Sequence, residues 1–292
     1  MNRPSRNLKL LILMTVVFLA VSVSSVDAAS ISFKNSQIKI TSPSSNAEVF
    51  QDQVKLEGTS SLGTFWVCVR GPQNEIVSYP VQVTNNNFSY TLYLRFGPGK
   101  YTIWAGDNSR RFDGSIRFEV ENTHEEDVRY LLPSAYVDSQ SEEIMQLAGS
   151  LVKSEMTDLE KITAIHKWVA TNISYDAIAY QTKAYELKTA SDVVKDKTGI
   201  CRDYSILVAA LSRAAGLPAK VVYGTARDRN NPPQDHAWTE VLVNNKWISV
   251  DATWDAGYLQ GGTFVFSFTD KYFNPDQTMF AQSHLRGSVA LH

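Results

Sequence analysis

The chain has 292 residues, of which 43% are hydrophobic and 20% charged, with a formal net charge of -2. That length suits two domains of ordinary size, and that apolar content excludes an intrinsically disordered chain. The near balance of acids and bases, without a basic stripe, leaves no electrostatic footprint for nucleic acid.

The N-terminus reads as an export signal. Arg3, Arg6 and Lys9 precede an apolar run from Leu10 to Val23, and Val26 and Ala28 take the small-residue positions of a cleavage site after Ala28. The apolar run falls short of the roughly 20 residues of a membrane span. Residues 1–28 are therefore expected to be removed as a signal peptide, leaving no stable membrane span and a secreted or extracytoplasmic chain. Disulfides are permitted there, yet only Cys68 and Cys201 are present. A bridge between them stands as the structural alternative to two free thiols.

Residues 31–122 predict short strands at Gln37–Ile40, Val54–Glu57, Phe65–Val69, Ile76–Val83, Phe88–Leu94, Tyr101–Ala105 and Ile116–Val120. These stretches alternate or are rich in β-branched and aromatic residues. Ser-Pro-Ser-Ser, Gly-Pro-Gln-Asn, Asn-Asn-Asn and Gly-Pro-Gly separate them. The strand count points to an immunoglobulin-like β-sandwich, although the Cys…Trp…Cys hallmark is absent. Cys68 lies within a strand and reads as a buried, inert thiol. The sandwich is either a spacer that positions the second domain or a binding module for a surface polymer or protein.

Residues 123–140 form a polar linker. Its His124-Glu125-Glu126-Asp127 run reads as a solvated charge cluster rather than a metal site. Helices resume near Glu142 and open the second domain, residues 141–292. Thr157-Asp158-Leu159-Glu160 is a capping-box signature. The helix it starts points Leu159, Ile162, Ile165, His166 and Val169 inward, and His166 reads as packing. Residues 176–188 predict a loop with helical turns, and Ala190–Asp196 a short helix.

Thr198-Gly199-Ile200-Cys201-Arg202-Asp203-Tyr204-Ser205 carries the chemistry. Tyr204, Leu207, Val208, Leu211 and Ala215 recur at helical spacing, and Gly216-Leu217-Pro218 stops the run. Cys201 thus opens a helix reaching about Ala215. There, unpaired N–H groups and the positive dipole end favour a thiolate and can hold an oxyanion.

A strand at Ala219–Tyr223 and a polar loop come next. A hairpin then pairs His236–Val243 with Lys246–Thr253 around Asn244-Asn245, residues that tolerate the positive φ of a two-residue turn. Pairing Val243 with Lys246 sets Asp251 opposite Trp238 and His236 opposite Thr253. His236 and Asp251 become diagonal neighbours on one face. Ala237, Thr239, Val241, Ile248, Val250 and Ala252 form the other, apolar face. A carboxylate beside a histidine fixes its tautomer, and a helix-borne cysteine facing that histidine would complete a nucleophilic constellation. Spacing alone does not bring Cys201 to His236; the helix must pack against the ribbon. Zinc held by Cys201, His236 and Asp251 is the competing use of the same residues. Trp238 and Trp254 flank the site, as packing or as substrate-binding walls.

Gly199-Ile200-Cys201-Arg202-Asp203-Tyr204, Ala215-Gly216-Leu217-Pro218, His236-Ala237-Trp238 and Val250-Asp251-Ala252-Thr253-Trp254 together resemble the core motifs of the transglutaminase-like superfamily, over residues 140–280. The resemblance implies an α+β, papain-like core with its cysteine on a helix N-terminus against an antiparallel sheet. It maps the catalytic residues onto Cys201, His236 and Asp251, and implies thiol acyl transfer or hydrolysis on protein or peptide amides. It carries no cofactor. The stretch 228–235, with two acids and two prolines, offers no calcium loop. Because some members of that family are inactive, a non-catalytic surface-binding protein is the remaining reading.

Overall fold

The computed structural model describes residues 33–184, 186–228 and 232–291. The export signal expected at 1–28 lies outside the described residues. The first domain comprises β1 (Phe33–Lys34), β2 (Ile38–Ser42), β3 (Glu48–Phe50), β4 (Gln53–Ser60), β5 (Thr64–Arg70), β6 (Ile76–Gln82), β7 (Asn87–Tyr93), β8 (Gly99–Gly106) and β9 (Ile116–Asn122). All the strands expected from the sequence are present. β1 and β3, too short to show a pattern, are additional.

Period-two alternation decides which face turns inward. In β4, Val54 and Leu56 are buried between exposed Gln53 and Lys55; in β9, Ile116, Phe118 and Val120 are buried between Arg117 and Glu119. Sheets of order β1-β2-β4-β7 and β3-β9-β8-β5-β6 close over one shared core, which makes a sandwich. Tyr101 at the start of β8 takes the Phe96 N–H at 2.8 Å on its hydroxyl, which also contacts the Leu94 and Gly97 carbonyls. A tyrosine hydroxyl bonded back to the chain a few residues upstream is the geometry of a tyrosine corner.

The second domain runs α1 (Glu142–Leu151), α2 (Asp158–Asn172), β10 (Ser174–Tyr175), α3 (Ala177–Thr182), α4 (Ala190–Asp196), β11 (Thr198–Gly199), α5 (Cys201–Ala214), β12 (Ala219–Ala226), β13 (Gln234–Val243), β14 (Lys246–Val250), α6 (Ala252–Ala256), β15 (Gly257–Gln260), β16 (Thr263–Phe266), α7 (Gln277–Ala281) and β17 (His284–Val289). The expected capping box closes the N-terminus of α2: Thr157 accepts from Glu160 N–H, and Glu160 accepts from Thr157 N–H. Leu159, expected inward, is instead 42% exposed. It sits in the first turn, ahead of the stripe that Ile162, Ile165, His166 and Val169 bury.

Helix α5 is buried nearly all round, its polar residues Asp203, Ser205, Ser212 and Arg213 included. It lies against the antiparallel sheet β14-β13-β12-β17, with α1, α2 and α4 around it. The mixed α+β core and the preceding sandwich are joined by residues 123–141. Within that segment Arg129 O accepts from Arg95, and Leu132 O accepts from the buried Arg213 at 2.9 Å. His124 pairs with Asp52 at 3.2 Å, consistent with a charge cluster engaged by the sandwich.

Candidate active site

Cys201 is the first residue of α5, after Ile200 at φ -95°, ψ 179°. Asp203 Oδ2 accepts the Ile200 N–H at 2.9 Å and so fixes the entry of the helix. Gly199 makes room for this: a Cβ there would stand 2.6 Å from Asp203 Cβ. The Cys201 N–H is one of the first-turn donors that a helix leaves without an intrahelical acceptor.

The packing that spacing could not supply comes through β13. Thr239 Oγ1 donates to Ser205 O at 3.0 Å, tying the strand to the first turns of α5. Three residues back along β13, His236 lines the same cleft as Cys201, near enough for the sulfur to act on its imidazole. Its Nε2 lies 2.8 Å from Asp251 Oδ2. That leaves Nδ1 for the sulfur. Burial opposes a charge on His236. The Asp251 carboxylate and the Cys201 sulfur outweigh it and push the imidazole up to about 10. Asp251 is fully buried, which by itself favours its neutral form; the charge of His236 and the donors of His236 and His284 hold it well below the usual carboxylate range.

The route to Asp251 differs from the one the hairpin register predicts. The turn is as expected, with Asn244 and Asn245 both at positive φ, and Thr239 pairs with Val250 and Val243 with Lys246. β14 stops at Val250, however, so Asp251 does not pair with Trp238, nor His236 with Thr253. Asp251 instead caps α6, its Oδ1 accepting from Thr253 N at 3.0 Å and Trp254 N at 3.2 Å. Those two amides hold one oxygen of the carboxylate. The proximity to His236 survives because the turn away from the strand keeps Oδ2 on the same side.

Trp254 lines a cleft of about 480 Å³ together with Cys201, His236, Tyr175, Tyr180 and Tyr258. Trp238 does not. It is 2% exposed and packs edge-on against Phe280 and His284 beneath the site, so of its two expected roles it has packing and not the substrate wall. Tyr175 and Tyr180 come from a region whose sequence shows no clear period. Cys68 and Cys201 are both free, so the bridge between them is not formed.

His284 is the residue that sequence reasoning missed. Its Nε2 lies 3.1 Å from Asp251 Oδ2, the oxygen that His236 also contacts, and its Nδ1 lies 2.8 Å from Ser283 Oγ. It stands on β17, whose short, mostly exposed pattern gave no strand signal. A second buried pair, His166 Nε2 and Asp255 Oδ2 at 3.0 Å, clamps α2 to α6 away from the cleft. This fits the packing role expected of His166.

Residues 145–252 match the family model described as the transglutaminase-like superfamily. The match spans Cys201, His236 and Asp251 and ends one residue after the acid.

Residues 145–252 are similar to a transglutaminase-like domain.

Among curated proteins, kyphoscoliosis peptidase of Homo sapiens is 28% identical over 148 residues, 48% of this chain and 22% of that protein. The uncharacterized protein YebA of Bacillus subtilis (strain 168) is 25% identical over 194 residues, 59% of this chain and 25% of that protein. The chain thus spans about a quarter or less of the length of these relatives. Among solved structures, a candidate cysteine protease from Cytophaga hutchinsonii is 21% identical, with 77% of this chain and 69% of that chain covered at a TM-score of 0.38. Red sea bream transglutaminase is 10% identical, with 76% and 51% covered at 0.28.

The metal-ligand grouping found among the described residues is His236, Asp251 and His284, whose ligand atoms lie within 4.8 Å of one another. It differs from the Cys201, His236 and Asp251 set considered from sequence. Its spacings of 2.8 and 3.1 Å are hydrogen-bond lengths, and a metal would have to displace both N–H protons. The geometry therefore fits a hydrogen-bonded network.

Proposed function

We propose that the protein is an extracytoplasmic thiol enzyme that cleaves or transfers protein or peptide amides through an acyl-enzyme. The observation that carries this reading is the convergence of Cys201, His236 and Asp251 at one side of an aromatic cleft. The Cys201 thiolate attacks the amide carbon, forming a C–S bond. The oxyanion is held by the Cys201 N–H and the helix dipole. His236, as imidazolium, gives its proton to the departing amine as the C–N bond breaks. Asp251 keeps the ring in the tautomer that places its second nitrogen at the sulfur. Water or a lysine amine then gives up a proton to His236 and attacks the thioester; the C–S bond breaks, releasing acid or new amide and restoring the thiolate beside the imidazolium. The cleft continues past Arg227, Asp228 and Tyr272 into a second hollow, a length that suits a chain rather than a small molecule.

The test is incubation of the mature protein with casein and a labelled amine, beside Cys201→Ala. Amine incorporation lost in the variant marks a transferase, and casein fragmentation lost in the variant marks a peptidase. Equal behaviour of the two proteins overturns the proposal.

A further inference from the structure

A buried carboxylate offers about four acceptor positions, and each one left empty is costly. At Asp251 all are taken. Thr253 and Trp254 N–H share Oδ1; His236 and His284 converge on Oδ2. The backbone pair fixes one oxygen but leaves the carboxylate free to tilt about it. The second imidazole removes that freedom, because it gives Oδ2 a second partner besides His236.

His284 is itself held. Its ring stacks on Phe280 at 3.9 Å and 10°, and Trp254 and Tyr272 pack against its other sides. The Asp251 carboxylate can only accept, which places the ring proton of His284 on Nε2; Ser283 Oγ lies 2.8 Å from Nδ1 and 3.3 Å from Phe280 O. The strand that brings His284 in, β17, joins the sheet at β12, where Ala226 faces His284. This residue lies beyond the segment 145–252 that defines the family match.

We infer that His284 is a positioning residue for the triad: its Nε2–H locks the Asp251 carboxylate so that the remaining lone pair of Oδ2 points at His236, which in turn faces Cys201. The inference rests on the proposed thiol chemistry and adds a fourth member to it. The titratable groups facing the network are Cys201 and Asp251 against His236, Tyr272 against His284, and Tyr175 and Tyr223 beside the sulfur.

The experiment is alkylation of Cys201 by iodoacetamide across pH 5 to 10 in wild type, His284→Phe and His284→Gln, with Cys201→Ala as background. Phenylalanine keeps a ring on Phe280 without a donor, and glutamine keeps an N–H at similar reach. Without the lock the imidazolium loses register with the sulfur. His284→Phe is expected to react about tenfold more slowly near pH 6 and to rejoin wild type near pH 10, where a thiol ionises unaided. His284→Gln is expected to stay within about threefold of wild type throughout. A Phe profile identical to wild type, an equal loss at every pH, or a Gln variant as slow as Phe overturns the inference. A ¹⁵N spectrum of wild type tests it without mutation, since a ring protonated at Nδ1 alone leaves no donor for Asp251 and also overturns it. An ordinary thiol profile in wild type, with a midpoint near 8.5, would instead strike the thiol-enzyme reading itself.

Discussion

At the residue scale, the site works by setting three buried polar groups against one another. His236 is 8% exposed and Asp251 is 0% exposed, so each depends on the other to stay charged. Asp251→Asn would leave Oδ1 capping α6 but would present the wrong group to His236 Nε2. Amide turnover is expected to fall by about 10³–10⁴, with the far-ultraviolet spectrum unchanged. The pH dependence comes from the raised imidazole. Above a pH of about 10, His236 loses the proton that the leaving amine needs. The rate on an amide substrate is therefore expected to fall as pH rises through that value, read from a kcat/KM profile. The same shift has a stability sign. A folded-state value above the ordinary 6.5 stabilises the protein fully below 6.5 and progressively less as pH rises to about 10. Urea melts of His236→Gln are expected to lack that slope.

At the scale of elements, close backbone approaches hold the site together. A Cβ at Gly224 would lie 2.2 Å from Leu285 O and 2.8 Å from Trp238 Cη2. Gly224 is the point where β12 lets β17 in and, across the ladder, faces His236. Gly224→Val is expected to push β17 outward and to cost about 1–3 kcal/mol in a urea melt. Activity should fall with it, because His284 leaves Asp251 when its strand moves. Helix α6 shows a different economy. One carboxylate serves as its N-cap and as the acid of the site, so cap and catalysis cannot be altered separately at that position.

At the scale of the molecule, the sandwich and the transglutaminase-like core are joined through the linker rather than strung apart. Arg213, near the end of α5, donates to Ala219 O at 3.0 and 2.9 Å and to Leu132 O at 2.9 Å. Burial, reinforced by nearby Arg95, pulls this guanidinium down to about 9. Replacing it orphans two carbonyls, one of them in the linker. Arg213→Met is expected to lose about 2–4 kcal/mol, visible as a lower Tm in calorimetry. Its Cys201 alkylation rate should be unchanged below the transition, since the opposite end of α5 carries the thiol. Ala135 of the linker and Leu291 near the end of the described chain pack on the sandwich core, so both domains contribute to one seam.

Sequence alone determined what is local. Period-two and helical periodicity placed the strands of the sandwich and the helix of Cys201, and Asn244-Asn245 set the hairpin register. The motifs around Cys201, His236 and Asp251 named the candidate triad. Local signals are strong there because turn conformers, caps and alternation depend on neighbours a few residues away. Tertiary structure decided the rest. Only packing shows that α5 meets β13 through Thr239 and Ser205, that Asp251 leaves its strand to cap α6, and that Trp238 lies under the site while Tyr175 enters the cleft. His284 illustrates the reason most plainly. It stands 33 residues from the acid it contacts, on a strand with no apolar pattern of its own. Its position is set by backbone pairing to β12 and by Phe280 beneath its ring, interactions that leave no trace in the spacing of the chain.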